Sequence, residues 1–268
     1  VLGWPDRPSR TDLSDTLPRP ADDHPADDHP ADDHPRQGAA VHVPDGFLDV
    51  QTSLATAAVA AVAVALALRG SRRELDDRAA PLAGLVATFV FAAQMVTFPV
   101  AAGTSGHLLG GALAAVLVGA RTATLCLTVV LLVQTLLFAD GGLTALGTNV
   151  TLLGVVAVWT GYAVFHLALA ALPRRVGSVP LAAGIGAFVS VPAAALALTG
   201  LFALGGTAPV DVATLGTAMA AVHALIGIGE AVLTALVVSS VVALRPDLVH
   251  GARRLRTAAA AAAAEQPS

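Results

Sequence analysis

The chain has 268 residues, of which 55% are hydrophobic and only 13% charged, and its mean hydropathy is +0.73. Soluble domains carry about 25% charged residues, so an ordinary cytosolic enzyme is excluded and most of this surface is matched to lipid. The net charge of −4 comes from the amino end, because residues 1–40 hold nine of the nineteen acids and four of the fifteen basic residues.

Beyond residue 40, ten acids face eleven arginines, with no lysine anywhere, so nothing marks a nucleic-acid surface. A lone cysteine, Cys126, rules out an intrachain disulfide or a thiolate metal cluster. Residues 1–40 repeat Ala-Asp-Asp-His-Pro three times, at 21–25, 26–30 and 31–35. So polar a stretch cannot bury enough apolar surface to offset its ordering entropy, and disorder is predicted. It lacks an apolar core of the secretory type. The bland reading is a low-complexity tail, or upstream sequence that is not translated. His24, His29 and His34 are weak metal candidates at most.

From residue 50 onward seven apolar runs alternate with Gly, Pro or Arg breaks: 52–68, 81–99, 107–120, 122–138, 149–172, 180–204 and 214–244. A bilayer core of about 30 Å needs about 20 helical residues. The third run is short, with a reach of roughly 21 Å at 1.5 Å per residue. Either it is a short helix, or the preceding segment dips into the membrane and supplies the missing depth. All eleven arginines after residue 40 fall on alternate loops, while 99–106, 139–148 and 205–213 carry none. The positive-inside rule then predicts an all-α bundle of seven transmembrane helices in a cell membrane, amino end outside and carboxyl end cytoplasmic. The membrane domain spans 41–250, and 251–268 is a cytoplasmic tail.

Ionisable groups at membrane depth are expensive and therefore functional candidates. His42 precedes the first span and His107 opens the third run. His223 and Glu230 stand seven residues apart, on nearly one face of the last span. His166 reads as an interfacial, hydrogen-bonded histidine. Gly103-Thr-Ser-Gly-His-Leu-Leu-Gly-Gly111 has four glycines in nine residues, the pattern of a tight re-entrant loop feeding a helix. A Pro44-Asp45-Gly46 turn signal folds the chain before it back towards the bundle. His42 and His107 then share the outer side, and two imidazoles in one pocket suit nickel, cobalt or zinc. Gly103-Thr-Ser-Gly106 also matches the G-x-S-G of rhomboid intramembrane serine proteases, with Ser105 as nucleophile and His223 as base. The 118-residue spacing and the absence of a histidine four residues before Asn149 argue against it.

Five segments together resemble the CbiM/NikM family, the substrate-binding (S component) membrane subunits of energy-coupling-factor cobalt and nickel ABC transporters. They are Val41-His-Val-Pro-Asp-Gly-Phe-Leu48, Phe91-Ala-Ala-Gln-Met-Val-Thr-Phe-Pro-Val100, the Gly103–Gly111 segment, Phe138-Ala-Asp-Gly-Gly-Leu-Thr-Ala-Leu-Gly147 and His223-Ala-Leu-Ile-Gly-Ile-Gly-Glu230. The resemblance implies a metal held by the amino-terminal amine of residue 41, the amide and imidazole of His42 and the imidazole of His107. Amine and amide close a five-membered chelate, amide and Nδ1 a six-membered one, and His107 completes a plane of four nitrogens. Such a donor set favours Ni²⁺, Cu²⁺ or Co²⁺ over Mg²⁺ or Ca²⁺.

The family has methionine where Val41 stands, so the resemblance places the translation start at residue 41, from a GTG codon. Thr97 stands where the family has asparagine. Gln94, Ser105, His223 and Glu230 are expected to support the pocket, and Asp140 and Asn149 to cap helices in another outer loop. No resident cofactor is expected, the metal being the cargo. The implied partners are a coupling membrane subunit (T component), ATPase subunits and a small accessory membrane subunit. No G-x-x-x-x-G-K-[ST] loop exists, and without lysine none can, so ATP hydrolysis belongs to the partners. The alternatives are a proton-coupled secondary carrier working through Glu230 and, less favoured, the protease. Between the two metals the glycine-rich loop leans towards cobalt for corrinoid synthesis.

Overall fold

The computed structural model describes residues 42–74, 79–99, 105–253 and 255–257, all within the unit Gly38–Ser268. The expected tail 1–40, Val41 and the last residues of 251–268 lie outside the described residues. The architecture is an all-α, multi-span membrane bundle with one small hairpin. Helix α1 (Val50–Ser71) starts at Asp49, whose Oδ1 accepts the Thr52 N–H at 2.7 Å, an N-cap. Helix α2 (Ala79–Gln94) leads into β1 (Thr97–Pro99), which pairs antiparallel with β2 (Ser105–His107), Thr97 opposite His107.

The short buried α3 (Gly111–Val118) and α4 (Ala120–Leu137) follow. One turn, α5 (Leu146–Asn149), continues through a π-helical stretch (Val150–Ala157) into α6 (Val158–Ala171) as a single rod. Helices α7 (Val179–Gly205) and α8 (Val212–Leu244) close the bundle, and α8 begins at the Asp211 cap. Among the described residues five helices are long and apolar enough to cross a membrane: α1, α4, the α5–α6 rod, α7 and α8.

Two of the expected runs divide differently. The run 81–99 is helical only to Gln94, and the run 107–120 becomes helical only at Gly111. The backbone before a proline is pushed out of the helical region, so the residues leading to Pro99 extend and pair with the glycine-rich segment. Of the expected loop, the described residues Ser105–His107 form the strand that pairs with Thr97–Pro99. Gly110 (φ 73°) and Gly119 (φ 94°) bracket α3 in the left-handed region that glycine adopts without strain. All eight residues of α3 are buried.

Large apolar side chains point outward, among them Leu54, Val62, Leu66, Leu167 and Leu236, while Gln94, Gln134, Thr124, Ser190 and Glu230 are buried. Apolar outside and polar inside is the arrangement of a lipid-solvated bundle. Its packing relies on small residues: a Cβ at Gly147 would strike Ala57 of α1, and one at Gly161 would lie 2.6 Å from Ala112 Cβ of α3. Pro192 inside α7 leaves Phe188 C=O without an i+4 donor, and Gly227 of α8 packs over that carbonyl. The π stretch is tied to its neighbours by hydroxyls, with Gly154 C=O accepting Thr124 Oγ1 of α4 at 2.8 Å and Thr151 Oγ1 donating to Thr56 C=O of α1 at 2.9 Å.

Gly147→Val is expected to force α1 away from the α5–α6 rod. Overpacking of this kind costs about 1–3 kcal/mol, read as a lower thermal midpoint of the detergent-solubilised chain.

Candidate metal centre

The segment before α1 is pressed onto the bundle by polar clamps rather than by its own secondary structure. Asn149, buried at the α5 end, accepts the Val43 N–H on Oδ1 at 3.0 Å. Its Nδ2 donates to Val43 C=O at 3.1 Å, so the amide imitates a neighbouring strand. The Gly142 N–H also donates to Val43 C=O at 3.0 Å. Asp45 Oδ1 accepts both the N–H and the hydroxyl of Thr144, at 2.7 and 2.5 Å. Further along, Asp49 N–H donates to Gly205 C=O at 2.7 Å, and Thr207 Oγ1 donates to Gly46 C=O. Residue 42 is left with little freedom, and His42 is buried.

The second half of the centre is the stretch between β2 and α3. Glu230 of α8 is buried and spans two consecutive amides: Leu109 N–H donates to Oε2 at 2.5 Å and Gly110 N–H to Oε1 at 2.7 Å. These donors open α3, where backbone N–H groups lack intrahelical acceptors and the helix dipole favours an anion. Gln94 Nε2 donates to Leu109 C=O at 2.8 Å from the α2 side. With both faces of Leu109 clamped, His107 is aimed inward and buried.

The two rings then meet. His42 and His107 lie with centroids 4.7 Å apart at an interplanar angle of 57°. They line a cavity of about 70 Å³ whose wall includes Asn149, Leu152, Met219 and His223. His107 Nδ1 is 2.8 Å from Leu108 C=O and His223 Nδ1 is 2.9 Å from Met219 C=O. A carbonyl only accepts, so both Nδ1 atoms carry the proton and both Nε2 atoms keep a lone pair. Neither His42 nitrogen makes a hydrogen bond among the described residues, although Nδ1 approaches Asp140 Oδ2 to 3.2 Å. Among the described residues no three His, Cys, Asp or Glu side chains form a metal-holding group by themselves.

Of the residues singled out from the sequence, His42, His107 and His223 share the cavity, while Glu230 and Gln94 anchor the loop from opposite sides. The Ser105 side chain and Val41 lie outside the described residues. His166 stands apart, edge-on to Tyr162 at 4.4 Å. Asn149 and Asp140 play parts that capping does not describe: Asn149 clamps Val43, and Asp140 faces the His42 ring. The signal available for Asn149 was its being the chain's sole asparagine, in a predicted span where a polar amide needs partners.

The profile of the cobalt uptake substrate-specific transmembrane region, CbiM, matches residues 42–248. A cobalt transport protein CbiM of Sorangium cellulosum is 39% identical over 203 residues, covering 74% of this chain and 88% of that protein. The fused nickel transport protein NikMN of Rhodobacter capsulatus is 34% identical over 221 residues, or 78% of this chain and 64% of the fused protein. A crystal structure of a transition metal transporter superposes with a TM-score of 0.69 at 31% identity, covering 75% of this chain and 92% of the other.

Asn149→Ala is expected to leave the buried Val43 N–H without a partner, at about 1–3 kcal/mol, while Val43 C=O keeps the Gly142 N–H. Limited proteolysis then cuts residues 42–49 faster than in the unaltered chain. Thr144 hydrogen bonds hold the Asp45 carboxyl below its ordinary value, the side-chain bond foremost. A depressed carboxyl stabilises the fold at pH above its unfolded value of about 4, and the contribution vanishes as pH falls through the lower folded value. The gap in thermal midpoint between the unaltered chain and Thr144→Val should therefore be constant from about pH 5 to 8 and shrink below about pH 4. A gap that widens in acid contradicts that assignment.

Proposed function

The chain belongs to the CbiM family of substrate-specific membrane subunits for cobalt uptake, and from that premise we propose that it captures Co²⁺ or Ni²⁺ in the His42–His107 cavity. It is an integral membrane transport subunit, not an enzyme. The observation that carries the reading is the meeting of two buried imidazoles from positions 42 and 107, 4.7 Å apart. Two imidazoles bound at right angles to one ion, with metal–nitrogen distances of about 2.0 Å, have ring centroids about 4.5 Å apart. The separation here is that of cis ligands.

In this reading the ion takes four nitrogens: the free amine of residue 41 in a mature chain that begins there, the His42 amide, His42 Nδ1 and His107 Nε2. The Nδ1–H bond to Leu108 presents the right lone pair on His107. His42 Nδ1 exchanges the carboxylate of Asp140 for the cation, and His223 and Glu230 support the wall and the loop. The cavity opens outward in a topology of seven crossings with the amino end outside, supported by the arginine distribution. Energy comes from partner ATPases acting through a coupling membrane subunit, with a small accessory subunit. Relatives that carry extra sequence in one fused chain, such as the NikMN protein, support a need for such partners. A proton-coupled carrier is disfavoured, because both Glu230 oxygens are occupied by backbone N–H groups.

The test is metal analysis of the purified chain with its native amino terminus sequenced by mass spectrometry. One ion of cobalt or nickel per chain is expected, falling more than about tenfold in occupancy in His42→Ala and in His107→Ala. One extra residue inserted before residue 41 should abolish the square-planar absorption band. Uptake in cells should stop when the partner ATPase is inactivated; uptake that continues supports the secondary carrier instead.

A further inference from the structure

We propose that the groove between α1, α4 and α6 at the arginine-bearing end of the bundle is a binding site for an anionic phospholipid. Two adjoining cavities of about 580 and 470 Å³ share Arg73, Arg121 and Trp159 on their walls, and the larger one adds Arg69. Arg121, at the start of α4, is partly neutralised by Glu74 at 3.5 Å yet keeps a half-exposed side chain. It reaches the groove because Gly70 has no side chain, so the arginine stem crosses directly over α1. Arg69 and Arg73 meet no carboxylate among the described residues. Three arginines thus line one groove, with Glu74 the carboxylate beside them among the described residues. A guanidinium presents five donors in a planar fork that fits phosphate oxygens.

The apolar part decides the kind of anion. Val59, Val62 and Leu66 are exposed at 49%, 60% and 58%, and helical spacing sets them in a row that runs into Arg69 and Arg73. Exposed Trp159 and half-buried Val155 form the facing wall. Ten residues of α1 carry this row from Val59 to Arg69, about 15 Å at 1.5 Å each, which is one leaflet of a hydrocarbon core of about 30 Å. An apolar lane about one leaflet deep, ending in a cluster of arginines, has the shape and polarity of a phospholipid. A free phosphate has no use for the lane. Basic recesses between spans are recognised anionic-lipid sites in membrane proteins. The site is separate from the histidine cavity, and the proposal does not depend on which metal is carried.

The chain has two tryptophans, Trp4 and Trp159, so Trp4→Phe leaves a single reporter in the groove wall. In phosphatidylcholine vesicles containing a minor fraction of acyl-brominated phosphatidylglycerol, Trp159 fluorescence should be quenched more strongly than by brominated phosphatidylcholine at the same fraction. Each interfacial arginine contributes about a fivefold preference, equivalent to about 1 kcal/mol. Arg69→Gln/Arg73→Gln should remove most of the preference, and Arg69→Lys/Arg73→Lys should retain part of it. An unchanged thermal midpoint verifies that these exposed substitutions leave the fold intact. Equal quenching by the two lipids overturns the proposal, as does a preference that survives the double glutamine variant. Loss of the preference in millimolar inorganic phosphate reassigns the groove to a free anion and overturns the lipid. Loss on assembly with the partner membrane subunit reassigns it to a protein contact and overturns the lipid equally.

Discussion

The Glu230 carboxylate, laid across the Leu109 and Gly110 amides, is the interaction on which the arrangement of the centre depends. A buried carboxylate is costly unless hydrogen bonds and positive charge compensate it, and the open end of α3 supplies both. Because Glu230 belongs to α8 and the amides to the entry of α3, the contact sets where His107 points. It also ties the last long helix to a buried one more than a hundred residues earlier. Glu74 repeats the device at the other end of α3. It accepts the Arg121 and Thr122 N–H groups at the start of α4, at 3.3 and 2.8 Å. An eight-residue helix has little stability of its own. Buried all round and bounded by two glycines at positive φ, α3 is flanked by Glu230 of α8 at its entry and, at the start of α4, by Glu74 of the turn after α1.

His42 is placed by different means. It precedes all regular structure, and its position comes from Asn149 and Thr207 bonding the backbone of the lead segment and from the Asp45 side chain accepting Thr144. A flexible strap held only by apolar contacts would sample many ring positions. Directional hydrogen bonds from several elements remove that freedom, which lowers the entropy that an ion bound in the proposed cavity has to offset. The centre is therefore preorganised from two sides: the glycine-rich loop is held by a carboxylate, and the strap by amides and hydroxyls. The histidine-bearing end of the bundle commits its buried polar groups to geometry, whereas at the opposite end Arg69 and Arg73 meet no carboxylate among the described residues.

Local chemistry made much of this legible in the primary structure. Charge deficit and apolar run length identified the membrane bundle, and arginine placement proposed its orientation. The motifs around His42 and His107 identified the family and the two rings. Less legible were the ends of α2 and the start of α3. There the apolar count continues through Thr97–Pro99 and from His107, but Pro99 and the glycines divert the backbone into a hairpin. Hydropathy registers how apolar a residue is and says nothing about which φ and ψ its neighbours allow.

Composition and spacing alone determined that the chain lives in lipid and that its polar residues concentrate at a few segments, and the family resemblance added that two histidines 65 positions apart belong to one motif set. Only the tertiary structure decided that those rings stand 4.7 Å apart, that Asn149 clamps the strap instead of capping a helix, and that Asp140 faces His42. Periodicity arises from contacts a few residues away and is written locally. A hydrogen bond between residues 43 and 149, or 109 and 230, depends on how whole helices pack. Such packing through glycine and alanine leaves no periodic trace, because small residues permit many close approaches and the folded bundle selects one.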